Sequence, residues 1–327
     1  MKFGLVLPHF GKHSTYERVF GHVRWMEEVG FDSVWVRDHL FFQPSSFEGK
    51  STHILEPFTT LAAIGTLTHR LKLGTSTVVT YRHPLVASAL FGTIAYIAKG
   101  RIIAGIGAGA HRATFEAVGM PFEKRGKIVE EMLEILRLTW SRDHASYQGE
   151  FYRFEDVTID PKPPPGTPIY YGGISSASLR RAITYCDGWL PYRIPLKVLN
   201  RLMDHLRERL ARERQKDRIA VAYSPLVSID RDGDRARKRI GMDSLLGNLE
   251  RAIKENQWDG ISATEENLEG MIIAGNPQQC ADQLAVLQTM GVDEILLDLR
   301  NTYDEWESSL DLLATGVLPH FREDRQA

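Results

Sequence analysis

Arg37-Asp38-His39 follow the apolar run Ser33–Val36, so a cation, an anion and an imidazole stand together at the end of a strand-like segment. Such a set could move protons. Histidine exchanges a proton near neutrality, and an adjacent carboxylate can orient it. His9, His83 and His111 also stand beside strand-like runs, so residue type alone does not single out His39. Two glycine-bearing stretches suggest different chemistry. Gly172-Gly173-Ile174-Ser175-Ser176 directly precedes a helical pattern. Free N–H groups at a helix start favour an anion such as phosphate, and Ser175 or Ser176 could add a hydroxyl. The same residues equally describe a tight turn with a serine N-cap. Gly105-Ile106-Gly107-Ala108-Gly109 matches nucleotide-loop patterns only in part, and its alternative is a strand packed too closely for side chains. No His, Cys, Asp or Glu set has metal-ligand spacing, and no Gly-x-Ser-x-Gly elbow is present.

The elements that would position these groups alternate between strand and helix. Strand-like runs occupy residues 3–8, 33–38, 72–79, 102–107, 168–173, 188–192, 220–229 and 294–299. Several lack period-2 alternation, as strands buried on both faces should. Amphipathic patterns lie between them. Val19, Val23 and Met26 mark the first helix, which Gly30 would close. Asn276, Pro277 and Gln279 read as N-cap, N1 and N3 of the last helix before a strand, and Gly291 would end it. Eight such units predict a (β/α)8 TIM barrel spanning residues 1–327 as a single domain. Insertions are expected at about 40–56, at 143–167 as a hairpin around Gln148-Gly149, and at 230–275 as one or two helices. In a barrel the C-terminal strand ends build the site. They would bring together Asp38, His39, Ser76, Thr77, the strand-four glycines and the 172–176 turn, with Phe10, Phe41, Phe42 and Tyr81 lining an apolar pocket.

Composition narrows the partners. Of 327 residues, 43% are hydrophobic and 25% charged, with a formal net charge of -2. That balance supports a large core and gives no case for nucleic acid or an anionic membrane. Cys186 and Cys280 each sit in apolar surroundings, which disfavours a disulfide framework or a zinc site and fits a reducing cytoplasm. No signal peptide or membrane span is expected.

In order along the chain, FGLVLP, GFDSVWVRDHLFF, EPFTTLAAIGTLTHRLKLGTSTVVTYRHP, GRIIAGIGAGAHRATFEAVGMPFEKRG, YQGEFYRFEDVTIDPKP, PIYYGG with CDGWLP, and GNPQQCADQLAVLQTMGVDEILLDL resemble the bacterial luciferase-like superfamily of flavin- and deazaflavin-dependent oxidoreductases. The resemblance covers nearly the whole chain. It implies a flavin-like cofactor across the barrel mouth, more in the manner of the coenzyme F420 branch than of the long FMN monooxygenases. It implies that His39 assists proton transfer with Asp38 beside it, and that Ser76-Thr77 is a non-prolyl cis peptide against the ring. Cofactor contacts would come from Ser76, Thr77, Gly107, Gly109, Gly172, Gly173, Ile174, Ser175 and Ser176, and no metal is implied. Some F420 enzymes carry a glutamate where this chain has Ala110, so His39 is expected to act as sole proton donor, with His9 or His111 as weaker helpers. Arg112, Lys124 and Arg125 could meet the acidic tail of F420. Two alternatives stand beside this reading. One is an FMN-dependent monooxygenase served by a separate reductase; the other is a flavin-binding protein that has lost catalysis. A small-molecule substrate and a homodimer are expected.

Overall fold

The computed structural model describes residues 1–41, 51–213 and 218–322. Phe42 and most of the expected 40–56 insertion lie outside them. The strands, in chain order, are β1 (Lys2–Val6), β2 (Ser33–Val36), β3 (Lys72–Thr75), β4 (Val78–Val79), β5 (Ile102–Gly107), β6 (Ala145–Gln148), β7 (Arg153–Val157), β8 (Ile169–Gly172), β9 (Gly188–Leu190), β10 (Ala220–Tyr223), β11 (Leu226–Ile229), β12 (Ile272–Gly275) and β13 (Glu294–Leu297). Parallel pairing runs β3-β2-β1-β13-β10-β9-β8-β5, and a further β3–β5 pairing closes the ring. This is the (β/α)8 barrel that the alternating pattern predicts, with all eight expected runs in its wall.

The barrel interior is filled by side chains. Trp35 lies at its centre, fully buried, among Val6, Ile103, Leu190, Ala222 and Leu296. An indole fits there because the flanking strands carry glycine: a Cβ on Gly4 would sit 2.7 Å from Trp35 Nε1, and one on Gly74 would overlap the ring. Truncating such a residue to alanine costs about 3–5 kcal/mol. The helices outside the wall begin with a π-helical turn at 17–21 leading into α1 (Val23–Val29), which Gly30 ends at φ 96° as expected. They continue with α2 (Pro57–Leu67), α3 (Pro84–Ile97), α4 (Arg112–Ala117), α5 (Arg125–Ser141), α6 (Ser176–Tyr185), α7 (Leu196–Glu213), α8 (Gly233–Arg239), α9 (Met242–Asn256), α10 (Pro277–Thr289) and α11 (Trp306–Gly316). Asn276 and Gln279 form the expected reciprocal capping box on α10.

Two strand runs differ from the pattern in the sequence. Residues 72–79 do not form one strand but break at Ser76–Thr77, whose peptide bond is cis. Residues 220–229 break at Ser224-Pro225, where proline supplies no N–H for a ladder. Beyond the break β11 leaves the barrel and pairs in parallel with β12. The 230–275 insertion therefore holds a strand as well as α8 and α9. Only four residues long, β12 runs directly into the α10 cap, and a run that short does not declare itself as strand. The 143–167 insertion is the expected hairpin, β6 against β7. Its tip is held by Glu131 of α5, whose carboxylate accepts from the N–H groups of Glu150, Phe151 and Tyr152.

Candidate active site

Asp38 is the hub of the C-terminal mouth. Its buried carboxylate accepts from Arg82 Nε and Nη2, both at 2.8 Å, from Tyr81 Oη at 2.5 Å and from Val79 N at 3.2 Å. Arg82 also reaches Glu56, whose other oxygen caps α2 through Thr59 N at 2.7 Å. Burial works against the charge on Arg82, yet the hydrogen bond and the charge of Asp38 outweigh it and hold the guanidinium above its usual pKa. Burial, and then Asp38, push the Tyr81 hydroxyl up. None of these four bonds goes to His39, which the sequence reading has Asp38 orient. What Asp38 does is fasten the turn after β2 to the segment after β4, and that turn carries His39.

The three mouth histidines have different surroundings. His9 is fully buried, with Nδ1 3.0 Å from Leu7 O and Nε2 2.9 Å from Arg37 O and 3.1 Å from Arg37 N. Carbonyl oxygens lie within reach of both ring nitrogens, and Nε2 also faces the Arg37 N–H, so which of these contacts is a bond follows the ring's tautomer. Burial, and then the positive Arg37, lower its pKa to about 4. His9 pins the end of β1 to the end of β2, and its full burial keeps it from the open mouth where the sequence suggests a helper. His39 is half-buried, and its ring centroid lies 5.6 Å from that of the exposed His111. His111 is the N-cap residue of α4, but its side chain makes no capping hydrogen bond. Beside the absent acid at Ala110 there is thus a second imidazole.

The glycines have a cause inside the chain. Strand β3 stops pairing with β5 at Gly74 opposite Ile103. From there the Thr75 hydroxyl replaces the ladder, accepting from Gly105 N and donating to Gly105 O, both at 2.9 Å. A Cβ on Gly105 would overlap the Thr75 carbonyl, one on Gly107 the Thr77 hydroxyl oxygen, and one on Gly172 the Thr77 methyl. Gly107 and Gly172 therefore make room for Thr77 rather than leaving a bare cleft, and only their backbone remains to meet a ligand. Gly109 sits at φ 85°, where its Cβ would also press on Phe115 at 2.8 Å. At the next turn Ser175 is the N-cap of α6, accepting from Ser178 N at 3.2 Å, and Trp189 Nε1 donates to Gly173 O at 2.9 Å. Ile174 packs its side chain against the core, and Ser176 is exposed. The backbone N–H groups of Ser176 and Ala177 have no intrahelical acceptor, as at any helix start. The half-exposed backbone of 108–109 and 172–175, with this helix start beside it, fits a planar cofactor carrying a phosphate.

Of the expected pocket aromatics, Phe10 is buried under the Arg37 guanidinium, 3.5 Å from ring to carbon, Tyr81 is tied to Asp38, and Phe41 is exposed. The proposed tail-binding cations have partners of their own: Arg112 with Glu123, Lys124 with Glu150 at 3.6 Å, and Arg125 with Phe122 O at 3.1 Å. The sequence reading missed Arg193, Asp298 and Arg300, which follow β9 and β13 at the same mouth. Arg300 forks onto buried Asp298 with Nε at 2.8 Å from Oδ2. No pattern singles them out, although their places just after barrel strands could have. Among the described residues no group of three His, Cys, Asp or Glu could hold a metal, and no helix is long and apolar enough to cross a membrane.

Residues 1–294 match the model of the luciferase-like monooxygenase family. The 5,10-methylenetetrahydromethanopterin reductase of Archaeoglobus fulgidus is 26% identical over 98% of this chain and 100% of its own. The F420-dependent glucose-6-phosphate dehydrogenase of Microbacterium testaceum is 30% identical over 91% of each chain. Among solved structures, an F420-dependent secondary alcohol dehydrogenase in complex with an F420-acetone adduct superposes with a TM-score of 0.79 at 18% identity, covering 97% of this chain and 98% of its own.

Proposed function

The chain belongs to the luciferase-like monooxygenase family, and from that premise we propose that it is an F420-dependent oxidoreductase acting on a small organic substrate, with His39 handling the proton. One observation carries the choice of cofactor: the Microbacterium testaceum relative, named for its F420 dependence, aligns over nine-tenths of the chain. The geometry of the mouth is compatible. The backbone of 107–109 and the 172–176 turn would hold the cofactor, with its phosphate at the start of α6 and Ser76-Thr77 against its ring. When bound, F420 supplies a two-electron hydride donor or acceptor. The chain's own residues do the rest. Arg82 and Tyr81 clamp Asp38, Asp38 fixes the turn, and the turn holds the His39 imidazole at the mouth to give or take the accompanying proton. His111 stands beside it as a second carrier, in the place left by an acid at position 110.

Two measurements test the proposal. Titrating the purified protein with F420 and with FMN should show micromolar binding of F420. FMN binding with none for F420 would reverse the assignment and bring in a separate reductase. His39→Ala should lower turnover about 10²–10⁴-fold while F420 affinity stays within a factor of about two. An unchanged rate would remove His39 from the mechanism. Binding without turnover by the unmutated protein, across alcohols, enones, imines and nitro compounds, would favour a carrier.

A further inference from the structure

We infer that Trp189 is a positioning residue for the cofactor: its buried indole holds the Gly173–Ile174 peptide so that the Ile174 N–H joins the start of α6 in receiving a phosphate. The inference rests on the cofactor seat proposed above and names a residue outside that seat on which its phosphate affinity depends.

Trp189 lies in β9, fully buried in the same core as Leu179 and Ala182 of α6. Strand β9 pairs with β8 as far as Gly172 opposite Leu190, and the Gly173 N–H continues the ladder by donating to Leu190 O at 3.3 Å. The Gly173 carbonyl then leaves the ladder and accepts from Trp189 Nε1 at 2.9 Å. Only glycine follows that course, since φ is 151° and a Cβ would overlap Ser178 Oγ. The peptide bond to Ile174 is trans, so its N–H points opposite to its C=O. With the carbonyl fixed inward on the indole, the Ile174 N–H is turned away from the packed layer. Among the described residues the N–H groups of Ile174, Ser175, Ser176 and Ala177 have no protein acceptor, whereas Ser178 N is taken by Ser175 Oγ at 3.2 Å and Leu179 N by Ser175 O at 3.0 Å. Successive unpartnered donors at a turn favour an anion. Ile174 precedes the N-cap residue Ser175, so nothing in the helix aims its N–H; the indole does. Released from the indole, Gly173 O would stand four residues before Ala177 N, the spacing of a helical bond. Extending α6 in that way would turn the Ile174 N–H aside and take the Ala177 N–H from the phosphate as well.

The test compares one ring with and without its phosphate: FMN with riboflavin, or the 5′-phosphate of the F420 deazaflavin with its alcohol, whichever ring the protein binds. The ratio of the two affinities isolates the phosphate, because damage to the fold or to ring contacts weakens both forms alike. Trp189→Phe removes the indole N–H and keeps an aromatic ring. In it the ratio should fall at least about tenfold, as the loss of a hydrogen bond to a charged group does, while the phosphate-free form binds within about twofold of its affinity for the unmutated protein. Trp140→Phe makes the same exchange at an indole whose Nε1 has no hydrogen-bond partner among the described residues, and it should leave the ratio unchanged. In the unmutated protein, amide exchange followed by NMR should slow at Ile174 when the phosphate form binds and not when the alcohol does, a readout that depends on no variant folding. An unchanged ratio in Trp189→Phe, equal losses for both forms, or an Ile174 amide indifferent to the phosphate overturns the inference and leaves the seat in place. A ratio near one in the unmutated protein overturns the seat together with it.

Discussion

Thr77 wedges between two barrel strands, and each of its branches faces a different glycine. Gly172 faces the methyl and Gly107 the hydroxyl oxygen. Gly172 has no positive φ, so alanine there should be excluded by space alone. Gly172→Ala should cost about 1–3 kcal/mol, as overpacking in a close-packed interior does. Thr77→Ser removes the methyl, and after it the nearest Thr77 atoms to a Cβ at 172 lie 3.5 Å away, an ordinary contact. The single change Thr77→Ser should cost about 1 kcal/mol for the lost methyl. Combined, the two changes move one methyl from residue 77 to residue 172, so the double variant should come back to within about 1 kcal/mol of the starting protein. The coupling energy should then be about 1–3 kcal/mol. Gly107→Ala supplies the internal control: serine keeps the oxygen that blocks it, so Thr77→Ser should not rescue it. Urea unfolding of the three single and two double variants reads these numbers directly. Rescue of both glycine changes, or of neither, would refute the claim that Thr77 is what the glycines accommodate.

Two further outcomes follow from the mouth. Asp38→Asn keeps the shape but breaks a pair whose carboxylate side chain is 0% exposed, and it should cost about 3 kcal/mol; Arg82 retains Glu56, which holds the loss to the low end. A loss under about 1 kcal/mol in urea unfolding would mean that the clamp is incidental. His9 titrates near 6.5 when unfolded and near 4 when folded, so it stays neutral in the fold while the unfolded chain takes up a proton. Its contribution to stability is complete above about pH 6.5 and is lost as pH falls toward 4, by on the order of 3 kcal/mol in all. His9→Asn should flatten that part of the curve of stability against pH, and a curve of unchanged slope would assign the acid sensitivity to other groups.

The barrel was legible because its cause is local and repeated. Eight apolar runs buried on both faces, each followed by an amphipathic helix, leave few other folds, and the Asn276 capping box could be read residue by residue. The candidate site was legible in position but less so in role. Asp38 and His39 could be placed at the mouth from the strand ending at Val36, but not the Arg82 fork, which joins residues 44 apart in sequence. The glycines were the instructive case. Gly105 and Gly107 read as a ligand loop or as tight packing, and the residues that decide between these, Thr75 and Thr77, lie 30 positions away on another strand. Burial separated His9 from His39, and no single stretch of sequence records burial at a barrel's closure. Arg193 and Arg300 could not be singled out, because a single arginine after a strand carries no pattern.

The net charge of -2 and the charged groups at the mouth answer different questions. Charges spread over helices facing water are screened within about 8 Å at physiological salt and exert little pull on a distant partner. Charges at a barrel mouth, backed by a low-dielectric wall, act on whatever enters. A total charge near zero therefore says little about what a single charged side chain at the mouth can hold. The same separation operates within the mouth. Asp38 is paired with the Arg82 guanidinium and hydrogen-bonded by Tyr81 at the β2–β4 side. Asp298, a second buried carboxylate at the mouth, takes the fork of Arg300. Asp38 and Asp298 are thus both spent on holding a loop or a guanidinium in place, and the half-buried His39 stands beside the exposed His111 at the opening itself.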